Sequence, residues 1–219
     1  MSSTLTSLVR KPAGTPDGPP PLLILLHGVG SNEQDLMGLA PQLDSRFLIV
    51  SARAPITLGA GSFAWFHVQF TPTGFIINPA EAEASRQRIL KFVDEVVAEH
   101  KADPKRVYLL GFSQGCIMSL YSALTEPEKF AGVVGMSGRL LPEALSGIAA
   151  PDRLRHLQII VVHGTEDPVI PIEYGRAIRD QLNALPIKFG YKEYRMGHYV
   201  SPESLADISR WLTERLDKQ

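Results

Sequence analysis

Short apolar runs alternate along the chain with longer segments of helical periodicity. Apolar runs without polar alternation are typical of strands that are buried on both faces of a parallel sheet. Such runs lie within residues 22–26, 47–50, 107–110, 133–136 and 158–162. A further strand is predicted at 189–194, and Leu8 and Val9 indicate an edge strand near the amino terminus.

Residues 78–81, Asn-Pro-Ala-Glu, predict the start of a long helix. Asparagine caps the first turn, proline fits the first helical position, and glutamate stands three residues after the cap. This helix is expected to extend to about residue 100. Further helices are predicted over residues 116–124, 174–185 and 202–216. The alternation of strands and helices predicts an α/β fold with a mostly parallel central sheet and helices on both faces.

The chain length of 219 residues and a hydrophobic content of 44% suffice for one sizeable core. We therefore expect a single α/β domain over residues 1–219. Residues 1–20 are expected to form an amino-terminal extension that contains the edge strand. Residues 52–78 are dense in glycine, proline and aromatic side chains, and they predict an irregular loop that covers the functional site.

The charge balance disfavours polyanionic partners. Lys and Arg total 22, Asp and Glu total 23, and the net charge is -1, without a long basic run. We therefore expect no nucleic acid partner and no stable membrane insertion. The sequence shows neither a secretory signal nor a membrane span, so the expected location is the cytoplasm. The single cysteine, Cys116, excludes an internal disulfide and a multi-cysteine metal site.

The chemistry of the chain centres on the pentapeptide Gly111-Phe112-Ser113-Gln114-Gly115. A GxSxG sequence often occurs by chance, but here a predicted buried strand precedes it and an apolar helix follows it. That setting is what a nucleophile elbow requires, because small flanking residues let strand and helix pass close together while the serine hydroxyl stays accessible. The alternative interpretation is a glycine-rich turn with an incidental serine.

A serine nucleophile needs a base to accept its proton and a carboxylate to orient that base. In this topology the carboxylate and then the histidine follow the serine along the chain. Asp167 and His198 meet that order, in loops at the carboxyl edge of the sheet, where such sites lie. They are therefore the predicted partners of Ser113. Glu166 is the alternative carboxylate, and His163 is interpreted as a packing or hydrogen-bonding residue.

Attack on an acyl carbonyl also requires backbone donors for the developing oxyanion. The amide of Gln114 stands at the amino end of the predicted buried helix, whose dipole favours negative charge. A second donor is expected in Gly28-Val29-Gly30, which follows the strand at 22–26. The Val29 amide is the candidate, because the flanking glycines allow close approach of the backbone.

Four segments occur in a specific order along the chain. They are Leu26-His27-Gly28-Val29-Gly30, Gly111-Phe112-Ser113-Gln114-Gly115, His163-Gly164-Thr165-Glu166-Asp167-Pro168-Val169 and Gly197-His198. This set resembles the phospholipase/carboxylesterase family of α/β-hydrolases, which includes acyl-protein thioesterases and small bacterial carboxylesterases. The resemblance covers residues 20–215 and implies the α/β-hydrolase fold, the same triad and the same oxyanion donors. Two positions depart from the family pattern: Cys116 replaces a common glycine, and His67 replaces a frequent aspartate.

The residues and the resemblance together predict a serine carboxylesterase that hydrolyses a small-molecule acyl ester through an acyl-enzyme intermediate. Trp65, Phe66 and Phe75, in the predicted covering loop, are expected to line an acyl pocket. This chemistry implies no metal and no cofactor. The alternatives are an acyl-protein thioesterase or a lysophospholipase and, from another class, a catalytically silent fold that serves as a binding module. Exposed apolar loop residues also raise the hypothesis of a homodimer.

Overall fold

The computed structural model describes residues 3–14, 18–71 and 74–217. Parts of the predicted amino-terminal extension (1–2, 15–17) and of the predicted covering loop (72–73) lie outside the described residues.

The strands are β1 (Ser7–Arg10), β2 (Leu22–Leu26), β3 (Leu48–Ala52), β4 (Ile56–Gly59), β5 (Ser62–Ala64), β6 (Val68–Thr71), β7 (Gly74–Ile77), β8 (Val107–Phe112), β9 (Gly132–Met136), β10 (Gln158–Gly164) and β11 (Lys188–Tyr194). The helices are α1 (Gln34–Met37), α2 (Pro79–His100), α3 (Gln114–Thr125), α4 (Pro142–Ser146), α5 (Pro151–Leu154), α6 (Ile172–Asn183) and α7 (Pro202–Asp217), with short 3-10 turns at Ala40–Gln42 and Pro127–Lys129.

The central sheet has seven strands in the order β1-β3-β2-β8-β9-β10-β11. β1 pairs antiparallel with β3, and the other neighbouring strands are parallel. All residues of β2, β3 and β9 are buried, as expected for continuous apolar strands that carry helices on both faces. The predicted α/β fold with a mostly parallel sheet is confirmed, and the predicted edge strand at Leu8 and Val9 is present as β1.

The sheet separates two hydrophobic cores. Because successive strand residues point to opposite faces, Leu22, Ile24 and Leu26 join the core that contains α2, α3 and α6. Leu23 and Leu25 join the opposite core with α1 and α7. In α3, every residue from Gln114 to Leu124 is buried. The predicted buried helix is therefore enclosed by the sheet and by its neighbouring helices.

The predicted helix start at residues 78–81 is also present. The Asn78 side chain accepts a hydrogen bond from the Ala80 amide at 3.1 Å, at the beginning of α2. In the same turn, the Glu81 carboxylate accepts a hydrogen bond from the His67 amide at 2.8 Å. The amino end of α2 thus also anchors the chain that precedes it.

Residues 52–78 do not form the irregular loop that their composition predicted. β4 pairs antiparallel with β5, and β6 pairs antiparallel with β7, so the segment contains two hairpins. Gly61, with φ +70°, supplies a left-handed residue in the turn between β4 and β5. An isolated two-stranded hairpin is marginally stable, but here the buried Trp65 and Phe66 side chains pack into the core. Residues 56–77 are called the hairpin segment below.

Asp44 connects the loop before β3 to the last helix. Its carboxylate accepts hydrogen bonds from the Arg46 guanidinium at 3.0 and 2.8 Å and from the Thr213 hydroxyl of α7 at 3.0 Å. Arg46 also reaches the Asp217 carboxylate at 2.8 Å. The Arg46 guanidinium, followed by the Arg46 amide and the Thr213 hydroxyl, lowers the pKa of Asp44 to about 2 against the opposing effect of burial.

We expect Asp44→Asn to lower the free energy of unfolding by about 1–2 kcal/mol near neutral pH, because a charged acceptor of several hydrogen bonds is lost. A carboxylate with a lowered pKa in the folded state stabilises that state above its unfolded pKa. The difference between the two proteins should therefore be full above about pH 4 and shrink as the pH falls towards about 2. Urea unfolding of both proteins across this pH range measures it.

Asp94→Asn is the matched control. Asp94 has an exposed carboxylate that pairs with Lys129. Removing the charge of this carboxylate should change the free energy of unfolding by no more than about 0.5 kcal/mol. Two results would contradict a stabilising role for the Asp44 carboxylate. One is a loss of unfolding free energy in Asp44→Asn that does not shrink with falling pH, and the other is a loss no larger than that of Asp94→Asn.

Candidate active site

Ser113 occupies a sharp, strained turn between β8 and α3. Its backbone has φ +54° and ψ -115°, a conformation that non-glycine residues rarely adopt. The Ser113 amide donates to the Met136 carbonyl of the neighbouring strand at 2.9 Å, and its carbonyl accepts from the Ile117 amide at 3.1 Å. The serine therefore lies at the carboxyl edge of the sheet and immediately before a helix amino terminus, as a nucleophile elbow requires.

The glycines of the pentapeptide have steric roles. A Cβ at Gly111 would lie 2.2 Å from the Gly115 carbonyl oxygen and 2.5 Å from the Ser119 hydroxyl oxygen. A Cβ at Gly115 would lie 1.8 Å from the Leu26 carbonyl oxygen. Because both contacts involve backbone atoms, a larger side chain at either position would push α3 away from the sheet.

A hydrogen-bonded chain joins the three side chains that the sequence proposes as a triad. His198 Nε2 lies 2.9 Å from Ser113 Oγ, and His198 Nδ1 lies 2.7 Å from Asp167 Oδ2. The second oxygen of Asp167 accepts hydrogen bonds from the amides of Val169 at 2.9 Å and Ile170 at 2.8 Å. Since the carboxylate accepts the Nδ1 proton, Nε2 is left to accept the proton of the serine hydroxyl. The structure therefore places all three side chains in reach of a proton transfer.

The loops that follow β10 and β11 keep His198 and Asp167 at hydrogen-bond distance. The Thr165 amide donates to the Tyr194 carbonyl at 2.8 Å, so the contact between the two strands continues into their loops. Gly164 permits the close approach, because a Cβ there would lie 2.2 Å from the Met196 carbonyl oxygen. Backbone packing thus fixes the separation of the imidazole and the carboxylate.

Glu166, the alternative carboxylate, and His163, the histidine interpreted as a packing residue, make no hydrogen bond to Ser113 or His198 among the described residues. Glu166 is a surface residue whose carboxylate accepts a hydrogen bond from Arg195 at 2.8 Å. His163 is fully buried, and its Nε2–H donates to the Ile170 carbonyl at 2.8 Å. Burial lowers the pKa of His163, which favours the neutral ring. Its Nε2 is 3.7 Å from Asp167 Oδ2, so His163 packs beside the carboxylate.

The glycine segment after β2 lies directly against Ser113. A Cβ at Gly28 would lie 3.3 Å from the Cβ of Ser113. The Gly30 amide donates to the Phe63 carbonyl at 2.9 Å, which fixes the far end of the segment to the hairpin segment. Val29, the residue proposed as an oxyanion donor, therefore lies in a braced turn next to Ser113.

His27 braces the same turn from inside the protein. Its ring Nδ1–H donates to the Gly28 carbonyl at 2.7 Å, and its Nε2 accepts from the Ala54 amide at 3.0 Å. The His27 carbonyl accepts from the indole N–H of Trp65 at 3.0 Å. Burial lowers the pKa of His27, and this hydrogen-bond pattern requires the neutral ring. His27 is thus a positioning residue for the turn.

The Gln114 side chain has a contact that the sequence did not predict. Its amide oxygen accepts from the Trp65 amide at 2.7 Å, and its amide nitrogen donates to the Phe66 carbonyl at 2.7 Å. The side chain is almost fully buried. One residue therefore ties the start of α3 to the hairpin segment. The only signal for this contact in the sequence was the presence of a polar residue, Gln114, between Ser113 and Gly115.

A pocket opens beside Ser113, with a space of about 350 Å³ that includes its part open to solvent. Its lining includes Phe66 and Phe75, two of the three aromatic residues proposed for an acyl pocket. Trp65 is outside the lining: its side chain is fully buried, and its indole N–H bonds the His27 carbonyl. The expectation for Trp65 is therefore corrected: the ring packs in the core, where the His27 carbonyl satisfies its indole N–H.

The pocket also contains residues that the sequence analysis missed. They are Ile117, Arg139, Val169 and Ile170, whereas Val68 belongs to the segment that was expected to cover the site. Ile117 lies one turn into α3, and Val169 and Ile170 follow Asp167, so proximity to the motifs was an available signal for them. Arg139 follows β9, and nothing in its sequence context indicated that it would line the same pocket as Ser113.

Cys116 is a buried packing residue in the structure. Burial raises the pKa of its thiol to about 12, so the reactive thiolate is not formed near neutral pH. Across residues 3–14, 18–71 and 74–217, no group of His, Cys, Asp and Glu side chains is arranged to hold a metal ion. None of the described helices is long and apolar enough to cross a membrane.

The elbow, the hydrogen-bonded Ser-His-Asp side chains and the mostly parallel sheet define an α/β-hydrolase fold with the site of a serine hydrolase. The phospholipase/carboxylesterase family matches residues 15–216. The chain therefore belongs to this family of serine hydrolases.

Individual relatives agree with the family match. Acyl-protein thioesterase 1 of Mycosarcoma maydis is 29% identical over an alignment of 246 positions, gaps included, which covers 99% of this chain and 100% of that protein. Acyl-protein thioesterase 1 of Gibberella zeae is 36% identical over 116 residues, 52% of this chain and 49% of that protein. The crystal structure of the Bacillus cereus carboxylesterase superposes with a TM-score of 0.80 at 21% identity, covering 96% of this chain and 94% of that one. The last similarity is one of fold.

We expect Gln114→Met to lower the free energy of unfolding by about 2–4 kcal/mol, because it leaves the Trp65 amide and the Phe66 carbonyl buried without partners. Methionine preserves the approximate volume and the helix propensity of the position. Urea unfolding measures the loss, and limited proteolysis should show faster cleavage in the hairpin segment. Gln87→Met, at an exposed position of α2, is the control. A loss no larger than that of the control would show that the two backbone contacts are dispensable.

Proposed function

We propose that the protein hydrolyses carboxylic acid esters through an acyl-enzyme intermediate on Ser113. The observation that carries this proposal is the continuous hydrogen-bonded chain from Ser113 Oγ through His198 to Asp167, with links of 2.9 and 2.7 Å. A catalytic serine and its base must lie within hydrogen-bond distance, and the base must be oriented by a further group. The three side chains meet both conditions.

In the acylation step, Ser113 Oγ attacks the carbonyl carbon of the ester while its proton moves to His198 Nε2. Asp167 stabilises the imidazolium that forms, and the amides of Val169 and Ile170 hold its carboxylate in place. The tetrahedral intermediate then collapses, the bond to the alcohol oxygen breaks, and His198 donates its proton to the leaving alcohol. An acyl group remains on Ser113.

In the deacylation step, water takes the place of the alcohol. His198 Nε2 accepts a proton from water, whose oxygen attacks the acyl carbon, and the proton then returns to Ser113 Oγ as the carboxylic acid is released. The same base serves both halves of the reaction. Ser113 and His198 are therefore returned to their starting protonation states.

The proposed oxyanion donors are the amides of Gln114 and Val29. As the first residue of α3, Gln114 has an amide without a partner inside the helix. The helix dipole adds to its preference for negative charge. The close packing of Gly28 on Ser113 supports the second donor, since it holds Val29 beside the nucleophile. Loss of one such donor in comparable enzymes costs about 3–4 kcal/mol of transition-state stabilisation.

Acyl thioesters are the second candidate substrate class, and lysophospholipids are a third. The thioester alternative is supported by relatives that are named acyl-protein thioesterase 1, including one that aligns over 99% of this chain. A preference for compact substrates over long-chain ones is supported by the modest pocket beside Ser113, whose lining includes the charged Arg139. These features suit a compact acyl group better than a long lipid chain. The silent binding module is disfavoured by the intact hydrogen-bonded triad.

Ser113→Ala should lower kcat for nitrophenyl ester hydrolysis by about 10⁴-fold or more while the fold is retained, because the attacking oxygen is removed. Initial rates with purified protein and far-UV circular dichroism measure the two effects. Ser122→Ala is the control, since Ser122 is a buried serine of the same helix whose hydroxyl has no partner among the described residues. Unchanged hydrolysis by Ser113→Ala would overturn the proposal.

We also expect the wild-type kcat/KM to be higher for short nitrophenyl esters than for long-chain ones, because the pocket is small. A series of nitrophenyl esters of graded acyl length, measured beside a long-chain acyl thioester and a lysophospholipid, tests this. If kcat/KM is highest for the long-chain thioester or for the lysophospholipid, that class is the preferred substrate and the ester proposal is wrong.

A further inference from the structure

Arg139 places a positive charge, without a direct ion-pair partner in the described part of the chain, in the pocket that Ser113 lines. Among the described residues that line the pocket, it alone carries a formal charge, and Ser113 lines the same pocket. Within the part of the chain that the structure describes, no hydrogen bond or ion pair joins the guanidinium to another residue. The side chain is only partly buried, and none of its nitrogens is among the buried atoms without a partner, so its unpaired donors reach solvent. The N–H donors of Arg139 are therefore available to a ligand.

A strained turn holds Arg139 at this position. Ser137, directly after β9, has φ +49° although it is not a glycine. Its side chain is fully buried, and its amide donates to the Val162 carbonyl at 2.9 Å. Gly138 follows, where a Cβ would lie 2.4 Å from the Cys116 sulfur. Strain of this kind persists where the surrounding structure imposes it, and it is concentrated at functional sites.

Two aromatic rings lie within cation–π distance of the guanidinium. The Arg139 Cζ atom lies 4.6 Å from the centre of the Phe75 ring and 5.9 Å from the centre of the Tyr174 ring. A cation–π contact supplies no oxygen or nitrogen acceptor to the guanidinium. The two rings thus reduce the freedom of the side chain without occupying its donors.

The titratable groups that act on Arg139 do not neutralise it. They are Tyr174 of α6 and Glu143 of α4, and the Glu143 carboxylate is beyond the 4.0 Å limit of an ion pair. Burial lowers the pKa of Arg139, but a guanidinium stays protonated at neutral pH. The charge is therefore present, and it is partly removed from water.

We propose that the pocket selects ester substrates that carry a carboxylate or phosphate group, and that the guanidinium of Arg139 binds this group. The inference rests on ester hydrolysis by Ser113 and adds the class of substrate. A planar guanidinium matches the two oxygens of a carboxylate or phosphate with paired hydrogen bonds. The apolar side chains of Phe66, Val68 and Ile117 would contact the carbon atoms between the anionic group and the scissile carbonyl.

Two substrate pairs test the proposal, and each pair differs in one charged group. For the acyl side, nitrophenyl hydrogen glutarate, a half-ester with a free carboxylate, is compared with nitrophenyl valerate. For the alcohol side, butyryl glycerol phosphate is compared with butyryl glycerol. The measured quantity is the ratio of kcat/KM for the anionic substrate to kcat/KM for its neutral partner. The pair with the larger ratio identifies the side of the ester that carries the anionic group.

In the wild-type protein we expect at least one ratio to exceed unity. Arg139→Met should lower that ratio by about 10- to 100-fold, the effect of losing hydrogen bonds between charged partners. Arg139→Lys should retain part of the preference, since the charge remains without the paired geometry. Arg179→Met is the matched control, because Arg179 also stacks on an aromatic ring, Tyr191 at 5.5 Å, but lies outside the pocket lining.

Each outcome decides the proposal. A purely structural role for Arg139 would lower kcat/KM for anionic and neutral substrates alike and leave the ratio unchanged, and this result would overturn the inference while ester hydrolysis stood. Wild-type ratios at or below unity for both pairs would do the same. Absence of hydrolysis with all four esters would overturn the proposed function itself, and the inference with it.

Discussion

The structure depends on one steric constraint, the close passage of α3 over the end of β2. A Cβ at Gly115 would lie 1.8 Å from the Leu26 carbonyl oxygen, so there is no space for a side chain at this crossing. Because the helix begins so close to the sheet, the connection from β8 must reverse direction within a single residue. Ser113 is that residue, and its φ of +54° is the consequence. The same constraint places the amino terminus of α3 directly behind the serine.

The triad geometry could be predicted because it depends on chain order and strand direction. In a parallel sheet the loops after successive strands leave from one edge, so Ser113, Asp167 and His198 come together when β8, β10 and β11 are parallel. Continuous apolar runs predicted β8 and β10, a further strand was predicted at 189–194, and the cap at Asn78 predicted α2. These features are local in sequence or follow from topology.

The features that sequence reasoning missed depend on individual side-chain contacts. The aromatic composition of residues 52–78 did not separate Trp65, whose indole N–H bonds the His27 carbonyl, from Phe66, which reaches the pocket. The hairpins in this segment are stabilised by packing on the core and by the Gln114 side chain, and neither contact has a periodic signal. Arg139 lies within cation–π distance of Phe75 and Tyr174, which are distant in sequence. Contacts between side chains that are distant in sequence are visible only in the three-dimensional structure.

The central claim is that Ser113 becomes the carrier of the acyl group. The most direct measurement is mass spectrometry of the protein after rapid acid quench during nitrophenyl ester turnover, followed by peptide mapping. The account predicts one added acyl group on the peptide that contains Ser113, with a burst of nitrophenol of matching amplitude. Turnover with no adduct at Ser113, or with the acyl group on another residue such as Cys116, would contradict it.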